Sequence, residues 1–420
     1  MRPVLSILLA GCLLWTSGGI AEAQSAADST QIVAYTGGHV WDGSEFDERT
    51  LFVQDGRFIK ESARVDTTVQ LDGGYVIPPF GDAHTHMLGA GGIAIPLADS
   101  LFVSNGLFYA LDLTNPYSEI QNVQSQFEGP STIDVAYANG GITSTGSHPT
   151  AAMERIFTDT EEVTLENLQL QNDAYWFMDT IEHVDETWSD YLAQQPDVVK
   201  VYLTYTTRGL ERDECWGLCP EVLEAVVDRA HDVDKRVFAH VNTEKDVQIA
   251  LDAGVDAIAH LPSGNDGVRT GEEEFWLSRT TIRKAGQDSV VLTPTASLLV
   301  EGADPDTLQA EIARQRKQLR QLHEAGVRIA LGADEWKKTA LYEAMYLHDH
   351  DVFDNRTLLK IWAEATPRAI FPNRKIGHLA KGYEASFLVL NENPVDDFNA
   401  VTQIRLGVKQ GHIITGEGSR

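Results

Sequence analysis

Two spacings of apolar residues alternate along this chain. Near its start, IVAYTGGHVWDG, TLFVQDGRFIKES and TVQLDGGYVIP are short runs of β-branched and aromatic residues broken by Asp-Gly or Gly-Gly pairs, the pattern of antiparallel strands joined by tight turns. KIGHLAKGYEASFLVLN and IRLGVKQGHIITG close the chain in the same style. The two ends are predicted to pair into one small β-sandwich. Between them, VIPPFGDAHTHM, GLFYALDL, GITSTGS, VVKVYLTY, RVFAHVN, DAIAHL, VVLTPTAS and RIALGAD alternate with helical stretches. In PEVLEAVVDRAHDV, residues Val222, Leu223, Val226, Val227 and Ala230 fall on one helical face, and DTLQAEIARQRKQLRQLHEAG ends at Gly326 as a helix C-cap would. Such alternation argues for a parallel α/β fold, and eight units within about 300 residues fit a (β/α)8 TIM barrel. A doubly wound open sheet competes with it, but no Gly-rich phosphate loop follows an early strand. The domain plan is then 30–76 for the N-terminal part of the sandwich, 77–372 for the barrel and 373–416 for the C-terminal part.

Composition narrows the partners. The chain has 420 residues and is 43% apolar, which excludes a disordered protein. Lys plus Arg number 33 against 62 Asp plus Glu, a net charge of -29 that repels nucleic acid. Residues 1–23 read as an export signal: Arg2, an apolar stretch from Val4 to Trp15, then Ala21-Glu22-Ala23 as a cleavage site before Gln24. The mature protein is expected to be periplasmic or secreted. Leu9-Ala10-Gly11-Cys12 offers a lipoprotein anchor at Cys12 instead, although the apolar stretch before that cysteine is short. No later stretch nears the roughly 18 apolar residues of a membrane span. A homo-oligomer is left open. After export, Cys215 and Cys219 in DECWGLCPE would suit a small disulfide better than a metal clip, with two free thiols as the alternative.

Barrel enzymes carry their sites at the C-terminal ends of the strands, and polar residues gather at those ends here. The first strand ends in Gly81-Asp82-Ala83-His84-Thr85-His86, whose two imidazoles, two residues apart, share a face. On the fourth, Val198, Lys200, Tyr202 and Thr204 share a face, so Lys200 should point into the barrel. A buried bare ammonium is costly. A neutral amine there could take up carbon dioxide, forming a carbamate whose two oxygens could bridge two cations. His240 in FAHVN and His260 in AIAHLP close the fifth and sixth strands, and Asp334 in LGAD closes the eighth. Each alone is as well explained by a hydrogen-bonded core histidine or a helix cap. All six together are not.

With these residues in place, the chain resembles the amidohydrolase superfamily, in the binuclear metal branch related to imidazolonepropionases, Xaa-Pro dipeptidases and other acyl-amino-acid hydrolases. The Gly-Asp-Ala-His-Thr-His opening, Lys200, His240, His260, Asp334 and the closing NENPVDDF and VKQGHII carry the likeness. It implies that His84, His86 and Asp334 bind one metal, His240 and His260 a second, and that carboxylated Lys200 bridges them. Two departures stand out: Glu384-Ala385-Ser386-Phe387 where the family usually has Ala-Asp-Leu, and Ala110-Leu111-Asp112 where it often has Arg-Asp. Gly146-Ser147-His148 stands near a Gly-Gly-His of the dipeptidase-like branch, making His148 a candidate substrate contact or simply a loop histidine before Pro149. His348 and His350 in LHDHDVFD are expected in a surface loop. The connection 149–197, with Tyr175, Trp176, Phe177 and Trp188, could be a lid or helix packing.

The chemistry expected of such a site is hydrolysis of a C–N amide bond by a metal-bridging hydroxide, with Asp334 as general base and acid. Tyr202 is placed to donate to a substrate oxygen. Zinc suits the ligands best, and manganese, cobalt or iron also fit. Dipeptides, N-acyl amino acids and cyclic amides are the candidate small-molecule substrates. Deamination or lactone opening would use the same site. A non-catalytic barrel is the reading from another class, disfavoured because every ligand position is filled.

Overall fold

The computed structural model describes residues 31–89, 95–158, 169–204, 217–263, 275–301 and 305–416. The expected export signal, Cys12 and Cys215 lie outside the described residues. Among the described residues no helix is long and apolar enough to cross a membrane. The strands are, in chain order, β1 (Val33–Trp41), β2 (Phe46–Gln54), β3 (Arg57–Ile59), β4 (Thr67–Gln70), β5 (Tyr75–Ile77), β6 (Phe80–Thr85), β7 (Leu107–Asp112), β8 (Asp134–Tyr137) and β9 (Gly141–Thr143). They continue with β10 (Tyr175–Phe177), β11 (Val199–Tyr202), β12 (Val237–His240), β13 (Ala257–Ile258), β14 (Val291–Leu292), β15 (Arg328–Ile329), β16 (Phe387–Leu390), β17 (Ile404–Lys409) and β18 (His412–Gly416).

The two ends of the chain share one mixed sheet, ordered β18-β17-β16-β5-β1-β2-β3, with β4 paired to β1. They meet where β5 runs antiparallel to β16, Val76 opposite Val389. Every residue of β16 is buried. Side chains alternate along a strand, so Phe387 and Val389 join a small core with Tyr35, Phe58 and Val76, while Leu388 and Leu390 join the main core. Covered on both faces, FLVL has no place for a polar residue.

The middle of the chain is α/β, with parallel strands in two sheets: β6-β7-β8, and β10-β9-β11-β12-β13-β14-β15. Backbone bonds tie their margins. Ala83 N donates to Leu331 O and Asp334 N to His84 O, both at 2.7 Å, and Asp197 N donates to Tyr137 O at 2.7 Å. The predicted third strand, GITSTGS, corresponds to β9, and β8 before it was not foreseen. Between them Asn139 takes a left-handed φ of 57° and donates its side-chain amide to Gln194 O, which breaks the ladder. β10 adds an unforeseen edge strand beside β9.

The helices follow their patterns more closely. Pro220–His231 buries Val222, Leu223, Val226, Val227 and Ala230, and Pro305–Glu324 stops before Gly326, whose φ of 90° suits a C-cap. Within 149–197, Trp176 and Trp188 pack on Tyr191 with ring centroids 5.7 and 5.4 Å away, so these aromatics serve helix packing. His348 and His350 correct an expectation. Rather than a surface loop, they end the helix Ala340–Asp349, His348 lying against Phe398 and His350 against Tyr346.

Candidate active site and metal centre

The C-terminal ends of the parallel strands border a cavity of about 650 Å³ whose wall includes His84, His86, His148, Lys200, Tyr202, His240, His260 and Asp334. The candidate metal ligands and substrate contacts named from the sequence therefore all face one space. A second cavity, about 550 Å³, lies toward the opposite strand ends, beside Val291, Val327 and Arg328, and holds none of them. Close approach of the strands demands small residues. A Cβ on Gly332 would come within 2.5 Å of the His84 amide nitrogen, and one on Gly141 within 2.4 Å of the Tyr202 ring.

His84 and His86 share one orientation scheme. Their Nδ1 atoms lie 2.8 Å from Ala259 O and 2.9 Å from Thr114 O, so each Nδ1–H donates to a carbonyl. Both Nε2 atoms then face Asp334 Oδ1, at 3.0 and 2.9 Å. A backbone carbonyl that fixes the tautomer and frees the other nitrogen is how proteins prepare a metal-binding imidazole. These three side chains form a group able to hold a cation. Burial would raise the Asp334 carboxyl, but His84 and His86 outweigh it and hold the group well below the usual carboxylate range. Asp334 itself adopts a left-handed φ of 55°, backbone strain of a kind that collects at functional sites.

His240 and His260 form the second half. His240 Nε2 lies 2.9 Å from Asn242 Oδ1, and its Nδ1 lies 2.7 Å from His260 Nε2. Burial holds His260 well below its usual pKa and pushes His84 down to about 4, with Asp334 opposing at both. Lys200 stands among these groups, 1% exposed, with its Nζ 5.3 Å from the Tyr202 ring centroid. Its ammonium takes no hydrogen bond or ion pair among the described residues. Burial pushes its pKa down to about 8, with Asp334 opposing. A buried amine with no hydrogen bond or ion pair among the described residues, set beside imidazole nitrogens that face one another, fits a plain core poorly.

The family model for the Amidohydrolase family matches residues 75–414. The chain belongs to the Amidohydrolase family. An ochratoxinase from Aspergillus niger is 29% identical over 213 residues, covering 47% of this chain and 42% of that protein, so the match spans less than half the relative's length. The crystal structure of A. niger ochratoxinase superposes with a TM-score of 0.72 at 18% identity, covering 93% of this chain and 97% of that one. A Xaa-Pro dipeptidase with bound methionine in its active site gives 0.69 at 16% identity over 92% and 100%. At these identities the structures speak for the fold.

Within this amidohydrolase the two departures from the family pattern have structural roles. Asp112 accepts from Leu88 N, Gly89 N and Asn115 Nδ2, folding the turn after His86. Glu384 accepts from Arg374 at 2.7 Å and Tyr109 at 3.0 Å, anchoring the end sheet on the parallel strands. His148 stacks on His240 at 4.6 Å and lines the cavity. The Tyr202 hydroxyl lies 2.7 Å from Thr114 Oγ1, so that group is already hydrogen-bonded within the wall. The sequence reading missed Asn242, Arg155, Glu301, Glu335 and Trp336. The last stacks on His86 at 5.4 Å, and all but Asn242 line the cavity.

Proposed function

We propose that this amidohydrolase is an exported, metal-dependent hydrolase of C–N amide bonds, with dipeptides, N-acyl amino acids or cyclic amides as substrates. One observation carries the reading: four histidines turn ring nitrogens to Asp334 or to each other around a buried Lys200 that makes no hydrogen bond or ion pair among the described residues. His84, His86 and Asp334 would hold one divalent cation and His240 and His260 the other, with carboxylated Lys200 between them. Zinc suits these donors. When bound, the cations supply polarisation of the substrate carbonyl and a lowered pKa for the attacking water.

Asp334 turns Oδ1 to the imidazoles, which leaves Oδ2 to take a proton from the attacking water and return it to the leaving nitrogen. His148 and Tyr202 line the space where substrate would lie. The bonds joining Ala83 to Leu331 and Asp197 to Tyr137 support a closed (β/α)8 barrel over 77–372, with 30–76 and 373–416 as the end domain. Cys219 is disulfide-bonded, which supports an oxidising compartment and Cys215 as its partner.

The test is metal analysis of purified protein followed by a panel of dipeptides, acyl amino acids, lactones and amino-heterocycles. Amide cleavage that is lost on chelation and restored by metal supports the reading. Turnover of lactones or amino-heterocycles alone would replace it.

A further inference from the structure

Four neighbours on the helix Thr150–Thr158, namely Ala152, Met153, Arg155 and Ile156, line the site cavity. Their spacing places them on one helical face. Arg155 is exposed at the rim, and among the described residues its guanidinium makes no hydrogen bond or ion pair. That is unusual in a chain with 62 acidic residues against 33 Lys plus Arg. Nearby Lys338 illustrates the contrast, bonding Glu301 at 2.8 Å and Glu335 at 3.3 Å. Those two acids follow β14 and β15, while Arg155 follows β9, four places from β14 in the sheet order. The basic and acidic walls are therefore set apart. The other cation on the wall, Lys200, is buried among the histidines.

We propose that Arg155 is the specificity-determining anchor for a free carboxylate on the amino-acid half of the substrate. The proposal rests on the amide-hydrolase reading and sharpens it. A guanidinium presents a planar fork that matches a carboxylate with two parallel N–H···O bonds, stronger than a single neutral contact. Met153 and Ile156 flank Arg155 on the helix, and Leu298, Leu299 and Trp336 add apolar wall to the same cavity. The preferred substrates are then dipeptides and N-acyl amino acids with an apolar residue beside the free carboxylate. Cyclic amides that lack a carboxylate are disfavoured.

The experiment compares leucyl-phenylalanine with its C-terminal carboxamide on wild type, Arg155→Met and Arg155→Lys, each metal-loaded. Wild type should favour the free acid. Arg155→Met should raise KM for the acid roughly ten- to a hundredfold with kcat little changed, leave the carboxamide untouched, and so erase the preference. Arg155→Lys, which keeps the charge and loses the fork, should fall between. Because Arg155 sits in the last turn of its helix, where a cation also suits the helix dipole, melting temperature is measured alongside and should not move. Equal KM changes on both substrates, or none on either, overturn the proposal. If neither substrate is turned over, the amide-hydrolase reading fails. Calorimetric binding of the same dipeptide then decides on Arg155: tenfold weaker binding to Arg155→Met upholds the anchor, and equal binding removes it.

Discussion

His260 Nε2 stands 2.7 Å from His240 Nδ1, and both rings are buried. His240 already directs its other nitrogen to Asn242 Oδ1, so the two nitrogens that face each other have only one proton to share at most. A cation between them would use both lone pairs. The protein is accordingly expected to bind two metals per chain. Metal in thousandfold excess over its dissociation constant would add about 4 kcal/mol of stability, read as a melting temperature several degrees above that of chelated protein. Elemental analysis of metal-replete protein that finds less than one transition metal per chain would refute this.

Asn242 is held in turn by Asp246, which accepts from Asn242 N at 2.9 Å, Thr243 N at 2.8 Å and Thr243 Oγ1 at 3.0 Å. The two residues should separate by phenotype. Asn242→Ala frees the His240 tautomer and should cost roughly ten- to a hundredfold in metal affinity or activity, with the melt of metal-free protein little changed. Asp246→Ala removes the acceptor of a buried turn and a helix cap, and should cost about 1–3 kcal/mol of stability. Competition titration with a metal chelator and thermal melts tell them apart; equal effects on both readouts would count against this division.

The strands and the six ligand candidates were legible because they break a rule. A histidine, lysine or aspartate closing an apolar run is out of place unless something there needs it, and His84, His86, Lys200, His240, His260 and Asp334 all do so. Arg155, Asn242 and Trp336 carry no such mark. They reach the site through the paths of loops and one helix, which period and composition do not encode. Strand β8 went unforeseen for a related reason: Asp134–Tyr137 is only four residues long and runs straight into Ala138-Asn139-Gly140, so its pattern does not stand out from a loop.

Glu343 provides a pH test away from the site. It is buried and accepts from Ala296 N and Ser297 N, both at 2.8 Å, yet burial pushes it up to about 6. A folded pKa above the unfolded one gives a stabilising contribution that is complete below the ordinary carboxyl value and lost as pH rises through about 6. Asp82, raised by burial to about 7, acts with the same sign. Wild type should therefore exceed Glu343→Gln in stability by more at pH 5 than at pH 7.5, the gap narrowing by on the order of 1–2 kcal/mol. Chemical denaturation of both proteins at the two pH values reads this directly, and a gap that widens instead would contradict the sign.

Lys409 joins the end sheet to the parallel strands. It is fully buried, donating to Gly129 O at 3.2 Å, Thr132 O and Asp134 Oδ1, while Arg374 holds the other Asp134 oxygen at 2.7 Å. Lys409→Met strips Asp134 Oδ1 and two backbone carbonyls of a buried donor while Arg374 still pairs the carboxylate, so it should cost about 1–3 kcal/mol. Adding Asp134→Asn should recover part of that loss, because the two changes share one interaction. Denaturation midpoints of the single and double variants check it, and strict additivity would dissolve the clamp.

Lys200 separates a metal-bridging role from a structural one most sharply. A core lysine needs a buried carboxylate beside it, yet its ammonium has no ion pair among the described residues, and burial has pushed its pKa down to about 8. A neutral amine at this position can add carbon dioxide and become an anion with two oxygens. If that carbamate bridges the cations, Lys200→Ala should lose most activity and regain part of it with formate or acetate, small anions able to occupy the vacated bridge. Lys200→Arg should not respond, since its guanidinium stays charged and fills the space. With metal supplied, the melting temperature of Lys200→Ala should change little. The structural role predicts the reverse, a melt lowered by several kcal/mol of lost pairing and no rescue by small acids. A Lys200→Ala protein that keeps near wild-type turnover and two bound metals would end the bridging role.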